Sequence, residues 1–295
     1  MAKFRRSHGG QKSSSSRIMV TGIIGVIILA GLAIALKNLI GLVEDDTAIF
    51  EKERLYLPVG KENLEILHHQ FYSLAYDEEK EGAAWVSYEL LGSNVAGPWV
   101  SRTNDFRPDP LVSTESANNS DFKNSGFDRG HLVPAADMAF SETAMSETFF
   151  MSNISPQKRA FNHGVWRELE ELTRDWAKEN ERLVVVSGPI WNRSTQKVGK
   201  ANKMLVPDAY FKVLLDIDLP QQKAIGFVIP NELQTKRLED FAKSVDEVEA
   251  ITGFDFFKNY IEPGLQENLE ADFSIIDWPT NEKKYKIRLE RWNKE

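Results

Sequence analysis

What the 295-residue chain lacks restricts its chemistry before any motif is considered. It contains no cysteine, which excludes disulfide bonds, thiolate metal ligands and a cysteine nucleophile. It also contains none of the patterns G-x-x-x-x-G-K, H-E-x-x-H or G-x-S-x-G, so nucleotide-hydrolysing motors, zinc proteases and serine hydrolases gain no support. A chain without cysteine suits an oxidising or a reducing compartment, and the compartment stays open on this ground.

Most of the chain also lacks an excess of basic residues. The formal net charge is −8, and residues 1–43 carry six basic and no acidic side chains, so residues 44–295 carry the remaining −14. A domain this acidic cannot hold nucleic acid through a broad basic surface. Only a local arrangement, such as one metal ion and a few arginines, would hold a phosphate there.

The N-terminal region contains one long apolar run, from Ile18 to Leu36. At the helical rise its 19 residues span roughly 28 Å, which is close to the hydrocarbon thickness of a bilayer. Residues 1–17 are basic and rich in glycine and serine, which predicts a disordered cytoplasmic leader. We therefore expect a single-pass anchor at 18–36 in the cell membrane, with the main domain on the periplasmic or extracellular side.

A cleaved signal peptide is the alternative interpretation of the same run. Ala33-Ile34-Ala35 has the small residues of a cleavage site. The length of the apolar run, and the apolar residues that resume at Leu39 and Ile40, favour an uncleaved anchor.

The remaining residues predict a linker at 37–60, one domain at 61–280 and a polar tail at 281–295. Apolar and β-branched patterns predict strands at 85–91, 183–186, 210–217 and 224–229. A helical pattern at 238–251 ends at Gly253. Successive strands with a few helices indicate an α+β fold with a mixed or antiparallel sheet.

Residues 161–180 predict an amphipathic helix with three distinct faces. The predicted core face consists of Val165, Trp166, Leu169, Leu172 and Trp176. The predicted solvent face consists of Arg167, Glu168, Glu171 and Asp175. The flank between them, where a cleft would lie, consists of Asn162, Glu170 and Arg174.

An ordered set of motifs surrounds the segment Asp128-Arg129-Gly130-His131. It comprises RTNDFR at 102–107, SNISPQ at 152–157, NHGVW at 162–166 with Glu170, SGPIW at 187–191, YFK at 210–212 and TGFDFF at 252–257. Across roughly 65–260, this set resembles the DNA/RNA non-specific endonucleases, a family with a ββα-metal (His-Me finger) site. The resemblance implies that a strand carries His131, a second strand runs through about 149–153, and the helix from Asn162 completes the site.

The resemblance also implies roles for the site residues. His131 would be the general base, and an unperturbed histidine can accept a proton near pH 7. Asn162 would bind Mg²⁺, with Mn²⁺ as a substitute, because an amide oxygen is a suitable hard ligand. Glu170 matches a glutamate that holds metal-bound water. Arg102 and Arg174 match arginines that contact phosphate and stabilise the transition state.

Three further residues are expected to support the site. Arg129 would contact nucleic acid or brace the site, Asp128 would fix its geometry by hydrogen bonds, and Asn153 would orient it. Each role has a structural alternative. His131 would otherwise be an ordinary histidine, Asn162 a helix cap, Glu170 a solvated carboxylate and each arginine a surface ion-pair partner. His163 is expected to be an ordinary surface histidine, with contact to substrate as the alternative.

The expected function is Mg²⁺-dependent, sugar-non-specific endonucleolytic cleavage of DNA and RNA, with products that carry 5′-phosphates by family resemblance. One alternative is a membrane-tethered phosphodiesterase for a small or lipid-linked substrate. Another is a non-catalytic membrane-tethered binding protein, against which the complete set of His131, Asn162 and Glu170 argues. The oligomeric state is open, and a homodimer is one option.

Overall fold

A computed structural model describes residues 56–61 and 63–294. The strands are β1 (Val59–Gly60), β2 (Glu65–His68), β3 (Ser73–Asp77), β4 (Gly82–Leu91), β5 (Asp128–His131), β6 (Ile154–Gln157), β7 (Arg182–Ile190), β8 (Lys197–Val198), β9 (Met204–Leu205), β10 (Ala209–Asp216), β11 (Lys223–Pro230), β12 (Ala242–Lys243) and β13 (Phe254–Asp255). The helices are α1 (Gly92–Val95), α2 (Glu142–Glu147), α3 (Arg167–Glu179), α4 (Val245–Thr252), α5 (Pro263–Ala271) and α6 (Glu282–Glu290).

The centre of the fold is a seven-stranded sheet in the order β12–β11–β10–β7–β4–β3–β2, with each neighbouring pair antiparallel. Both faces are covered by apolar side chains. Tyr210 and Leu214 of β10 pack in one core cluster, whereas Phe211 and Val213 pack in the other. Burial on both faces explains why the central strands have nearly continuous apolar sequences. The predicted α+β class with an antiparallel sheet is confirmed.

Helix α3 covers the face of the sheet that carries the candidate site. All five residues of its predicted core face are buried, each with at most 2% of its surface exposed. The two tryptophans contact the sheet through aromatic neighbours, because Trp166 packs against Tyr210 and Trp176 stacks on Phe227. The sequence pattern therefore identified the correct buried stripe.

The predicted helix at 161–180 is irregular at its start. Residues Phe161–Trp166 form a π-helical turn in which Gly164 has non-helical backbone angles (φ −93°, ψ −110°), and α3 begins at Arg167. A Cβ atom on Gly164 would lie 2.4 Å from Asn293 Oδ1. The C-terminal segment thus packs directly against this turn.

The C-terminal segment also overturns the predicted solvent position of Glu168. This carboxylate is 1% exposed and lies beneath α6, where Arg288 Nε is 3.0 Å from Glu168 Oε2. Residues 281–294 are therefore part of the folded domain, although their polar composition predicted a tail.

The start of the folded domain also differs from its predicted boundary at residue 61. Tyr56 is 2% exposed, and β1 pairs with β13. Residues 56–60 therefore belong to the domain, whereas the sequence placed them in the linker.

Two further element boundaries required correction. The predicted second strand of the site at 149–153 is wrong, because Met151–Asn153 forms a 3₁₀ turn and the strand is β6. The predicted helix at 238–251 is in fact a 3₁₀ turn (Leu238–Phe241), then β12, then α4. Gly253 ends α4 with a left-handed backbone (φ 74°), as the sequence indicated.

None of the described helices is long and apolar enough to cross a membrane. The predicted anchor at 18–36, the leader at 1–17 and most of the linker lie outside the described residues.

Candidate active site

The candidate site is built on the antiparallel ribbon of β5 and β6, in which Asp128 pairs with Gln157 and His131 pairs with Ile154. The turn at Phe161–Trp166 and α3 follow β6 in the chain. Gly130 is needed where the ribbon is tightest, because a Cβ atom there would lie 2.0 Å from Cδ of the fully buried Gln157. Any other residue between Arg129 and His131 would have to displace the buried side chain of Gln157.

His131 lies in an aromatic environment and is 9% exposed. Its ring centroid is 5.0 Å from that of Phe149, edge-on, and 5.6 Å from that of Phe106. Its Nε2 atom is buried and has no hydrogen-bond partner among the described residues. Burial, aided by the positive charges of Arg102 and Arg129, lowers the pKa of His131 to about 3. The imidazole is therefore neutral at physiological pH.

Asn153 is fully buried and fixes the chain that leaves His131. Its Oδ1 accepts a hydrogen bond from Val133 N (2.9 Å), and its Nδ2 donates to Val133 O (3.1 Å) and Thr148 O (2.9 Å). Its backbone oxygen accepts from Leu132 N (3.1 Å). With its amide bound to the backbone on both sides, Asn153 is placed to orient the site.

Asp128 joins the ribbon to the π-helical turn. Its Oδ2 accepts a hydrogen bond from Asn162 Nδ2 (3.2 Å) and lies 3.3 Å from His163 Nε2. Its Oδ1 lies 3.5 Å from Arg159 Nη1. Because the amide nitrogen of Asn162 is bound to Asp128, the orientation of the amide group is set and its Oδ1 atom is left out of this bond. His163 is partly exposed and lies beside Asp128 at the cleft surface.

Asp128, Arg159, Asn162 and His163 line a cleft of about 850 Å³, here called the arginine cleft, whereas His131 and Asn153 are not among its lining residues. Its lining is Arg102, Asn104, Phe106, Asn119, Ser120, Phe122, Lys123, Phe127, Asp128, Arg129, Arg159, Asn162 and His163. Two of its arginines lie on aromatic rings. Arg129 is 4.1 Å from the Phe106 ring centroid, and Arg102 is 4.8 Å from that of Phe149. The same two rings contact His131, so the two arginines and the histidine pack against the same pair of aromatic side chains.

Arg174 lies in a second depression, of about 460 Å³, which shares Arg102 with the arginine cleft. Its Nη1 donates a hydrogen bond to Oδ1 of the buried Asp137 (2.8 Å). The sequence placed Asn162, Glu170 and Arg174 along a single cleft edge. Asn162 lines the arginine cleft, Arg174 lines the second depression and Glu170 lines neither. Glu170 and Arg174 stay one turn apart on α3 and interact electrostatically, whereas the π-helical turn lies between them and Asn162 and interrupts the regular 100° advance per residue that the prediction assumed.

Glu170, which is half-buried, belongs to a group of interacting charges with Lys212, Arg174 and Asp137. Burial raises the pKa of Glu170 to about 7, although the positive charges of Lys212 and Arg174 oppose the increase. Lys212 of β10 is completely buried, and its Nζ has no hydrogen-bond partner in residues 56–61 and 63–294. Burial lowers the pKa of Lys212, whereas the negative charges of Glu170 and Asp137 raise it.

Sequence reasoning treated Lys212 only as part of a strand and of a family motif. The signal that could have identified its importance was a lone lysine inside the otherwise apolar segment 210–215. A charged side chain at a core-facing strand position is rarely kept without a partner or a function.

The cleft suits a hard divalent cation held mainly by water and substrate. Asn162 offers one amide oxygen, and Mg²⁺ commonly binds through few protein ligands while it retains waters and takes phosphate oxygens. Among the described residues, the one group of three acidic or histidine side chains that could converge on an ion is Asp246, Glu249 and Glu270, on α4 and α5. None of these three lines the arginine cleft.

Comparison with known proteins identifies the family of the chain. The sequence model of the DNA/RNA non-specific endonuclease family matches residues 56–261. Human mitochondrial endonuclease G is 34% identical over 203 residues, which cover 64% of this chain and 68% of that protein. Mitochondrial nuclease EXOG from Danio rerio is 34% identical, with 70% of this chain and 64% of that protein covered.

A bacterial relative and a solved structure extend the comparison. A nuclease from Nostoc sp. (strain PCC 7120 / SAG 25.82 / UTEX 2576) is 31% identical, with 68% of this chain and 75% of that protein covered. The crystal structure of an EndoG/EndoGI complex superposes with a TM-score of 0.65 at 26% identity and covers 72% of this chain and 92% of that one. The chain spans about two thirds of the length of the human and Danio rerio relatives. On the family match over residues 56–261, the chain belongs to the DNA/RNA non-specific endonuclease family.

Proposed function

We propose that the chain is a metal-dependent, sugar-non-specific endonuclease that hydrolyses phosphodiester bonds in DNA and RNA. One observation carries this proposal. A buried, neutral histidine packs against the two aromatic rings that carry Arg102 and Arg129, in a cleft whose cationic side chains outnumber its single carboxylate, Asp128. A base beside a cationic cleft is the arrangement that hydrolysis of an anionic phosphodiester requires.

His131 is the general base in this mechanism. Its imidazole accepts a proton from the water that attacks phosphorus, the P–O3′ bond breaks, and the leaving 3′ oxygen takes a proton from water. The pKa of about 3 ensures that the ring is unprotonated before substrate binds, but it also makes His131 a weak base in the free protein. An anionic phosphate in the adjacent cleft would raise this pKa, because an opposite charge favours the imidazolium. Substrate binding therefore makes His131 a stronger base before the water attacks.

Asn162 and Glu170 are the residues proposed to serve the metal. A bound Mg²⁺ would supply Lewis-acid stabilisation of charge on the phosphoryl oxygens. Asn162 Oδ1 would hold the ion, since Asp128 orients the amide through its nitrogen. Glu170, whose pKa of about 7 lies near neutrality, would accept hydrogen bonds from water in the site when ionised.

The arginines bind and stabilise the phosphate. Arg102 lines both the arginine cleft and the depression that contains Arg174, so it can contact a phosphate from either side. Guanidinium groups that contact phosphates and sugars carry no information about base identity. Cleavage with little sequence preference follows from this recognition.

The proposal is tested by incubating the purified full-length protein with supercoiled plasmid and with RNA. We expect cleavage of both in Mg²⁺ and no cleavage in EDTA. Asn162→Ala should raise the Mg²⁺ concentration for half-maximal activity at least tenfold, and unchanged metal dependence would remove Asn162 as the ligand. Hydrolysis of bis-p-nitrophenyl phosphate without cleavage of plasmid or RNA would instead favour a small-substrate phosphodiesterase.

We also propose that residues 18–36 anchor the protein in the cell membrane with the catalytic domain outside. The apolar run and its basic flank support this location. The protein should stay in the membrane pellet after carbonate extraction, and protease added to intact spheroplasts should degrade the domain. Release of a shortened chain into the medium or periplasm would indicate a cleaved signal peptide.

A further inference from the structure

A third depression, of about 650 Å³, continues from the arginine cleft, with which it shares Ser120 and Lys123. Its lining consists of Ser120, Asp121, Lys123, Asn124, Ser125, Gln196, Lys197, Val198, Gly199 and Lys200. Two loops form it, one around the 3₁₀ turn Asn119–Phe122 and the other around β8. Its three lysines, Lys123, Lys197 and Lys200, are exposed to solvent and are here called the lysine track.

The charge of this region contrasts with that of the domain. The arginine cleft and the third depression together contain six cationic side chains, namely Arg102, Arg129, Arg159 and the lysine track. Only two carboxylates, those of Asp121 and Asp128, line the same surface. Residues 44–295 nevertheless carry a net charge of −14. A cationic band in an acidic domain would concentrate a polyanion at this band and repel it elsewhere.

Asp121 holds the two loops of the track together. It is 3% exposed, and its Oδ1 accepts hydrogen bonds from the backbone nitrogens of Lys200 (2.9 Å) and Ala201 (3.1 Å). Its Oδ2 accepts from Asn118 N (3.2 Å). The carboxylate therefore accepts hydrogen bonds from the backbone of both loops and keeps Lys200 next to the turn that precedes Lys123.

We propose that the lysine track binds the phosphodiester backbone of the nucleic acid on one side of the bond that is cut. This inference rests on the proposed nuclease function and extends it to substrate length. The track continues the arginine cleft, so a strand whose scissile phosphate lies in the cleft can place its next phosphates beside the lysines. Lysine ammonium groups bind phosphates as point charges, so this contact adds affinity without sequence preference.

A concave site favours a nucleic-acid strand over an anionic membrane surface. The lysines line a depression continuous with the cleft, which a strand can enter. A flat lipid surface would contact convex parts of the protein instead. A membrane is therefore the competing outcome of the test.

The test measures binding of the full-length protein to a fluorescein-labelled 20-base-pair duplex in EDTA, over a range of KCl concentrations. The variant is Lys123→Ala/Lys197→Ala/Lys200→Ala. Its control is Lys236→Ala/Lys283→Ala/Lys294→Ala, which removes the same charge from exposed lysines that line neither the cleft nor the third depression. We expect the slope of log Kd against log[KCl] to fall by about 2.7 for the track variant, since each of the three phosphate contacts contributes roughly 0.9, and to stay within about 0.5 of wild type for the control.

Equal slopes for the two variants would overturn the inference, as would a track variant that loses binding to phosphatidylserine vesicles but keeps its DNA slope. Binding in EDTA is independent of cleavage, so the two proposals can fail separately. A protein that binds DNA through the track but cuts nothing in Mg²⁺ would refute only the nuclease. A protein that cuts DNA with unchanged salt dependence in the track variant would refute only the track. Both variants keep the basic residues 1–43, so the leader contributes equally.

Discussion

Individual residues acquire their chemistry here from surroundings that sequence spacing does not show. The motif around His131 pointed to a base, yet an isolated histidine with a pKa near 6.5 was the expectation. The folded protein surrounds the ring with Phe106 and Phe149 and places Arg102 and Arg129 nearby. Phe106 and Arg102 are separated from His131 by more than 20 residues in the sequence, so the low pKa arises only on folding.

This environment predicts a pH-dependent contribution of His131 to stability. The folded-state pKa of about 3 lies below the unfolded value near 6.5, so the unfolded chain binds the extra proton between these values. Stability from this group is complete above pH 6.5 and falls with decreasing pH by up to about 1.4 kcal/mol per unit. Between pH 7 and pH 5, the free energy of unfolding measured in urea should fall by about 2 kcal/mol more for wild type than for His131→Phe. Parallel stability curves would contradict this.

Lys212 gives a second prediction at this scale. Its buried charge lowers the stability of the fold, and the same charge acts on the neighbouring Glu170. Its positive charge lowers the pKa of Glu170, so Lys212→Met should raise that pKa further and keep Glu170 protonated at pH 7. We expect kcat/KM at pH 7 to fall about tenfold and to recover towards pH 9, with the free energy of unfolding equal to or above that of wild type. Lys236→Met, at an exposed position, is the control. An equal loss of kcat/KM at every pH would show that Lys212 does not act through the protonation of Glu170.

At the scale of elements, the sequence pattern was sufficient to locate a helix face or a strand wherever its buried residues repeat at regular spacing. The core face of α3 and the central strands β4, β7, β10 and β11 could be identified from the sequence because their apolar residues repeat at helical or strand spacing. The start of α3 could not, because the π-helical turn at Phe161–Trp166 packs against Asn293, which lies far away in the sequence. The same is true of Glu168, whose burial depends on α6.

The contact between α3 and α6 predicts a large loss of stability on breaking one ion pair. Arg288 is completely buried and pairs with Glu168, and it also donates to the backbone oxygen of Lys236. Arg288→Ala leaves a buried carboxylate without its partner, so we expect a loss of about 3 kcal/mol in the free energy of unfolding at pH 7.5.

A double variant separates the charge from the packing in this pair. In Arg288→Met/Glu168→Met both charges are replaced by apolar side chains, and at least half of the lost stability should return. If the single and double variants are equally unstable, packing of the Arg288 side chain, and not the ion pair, maintains the contact. Chemical denaturation of the three proteins at one pH is sufficient for this comparison.

At the scale of the whole molecule, the total charge and the local charge have different meanings. The net −14 of residues 44–295 predicts that this domain does not hold nucleic acid through a broad basic surface. It could not indicate that four cations, Arg102, Lys123, Arg129 and Arg159, converge on one cleft. These residues lie on separate loops and strands, so their proximity depends on the topology that brings 102–129 against 159–163.

The central claim is that one histidine, His131, is the base of a nuclease. It is tested most directly by the initial rate of plasmid cleavage in Mg²⁺ by His131→Ala. The control is His68→Ala, on edge strand β2. We expect His131→Ala to reduce kcat about 10²- to 10⁴-fold while the Kd for DNA in EDTA stays within about threefold of wild type, and His68→Ala to retain wild-type kcat. A His131→Ala protein that cleaves plasmid at more than about half the wild-type rate would contradict the account.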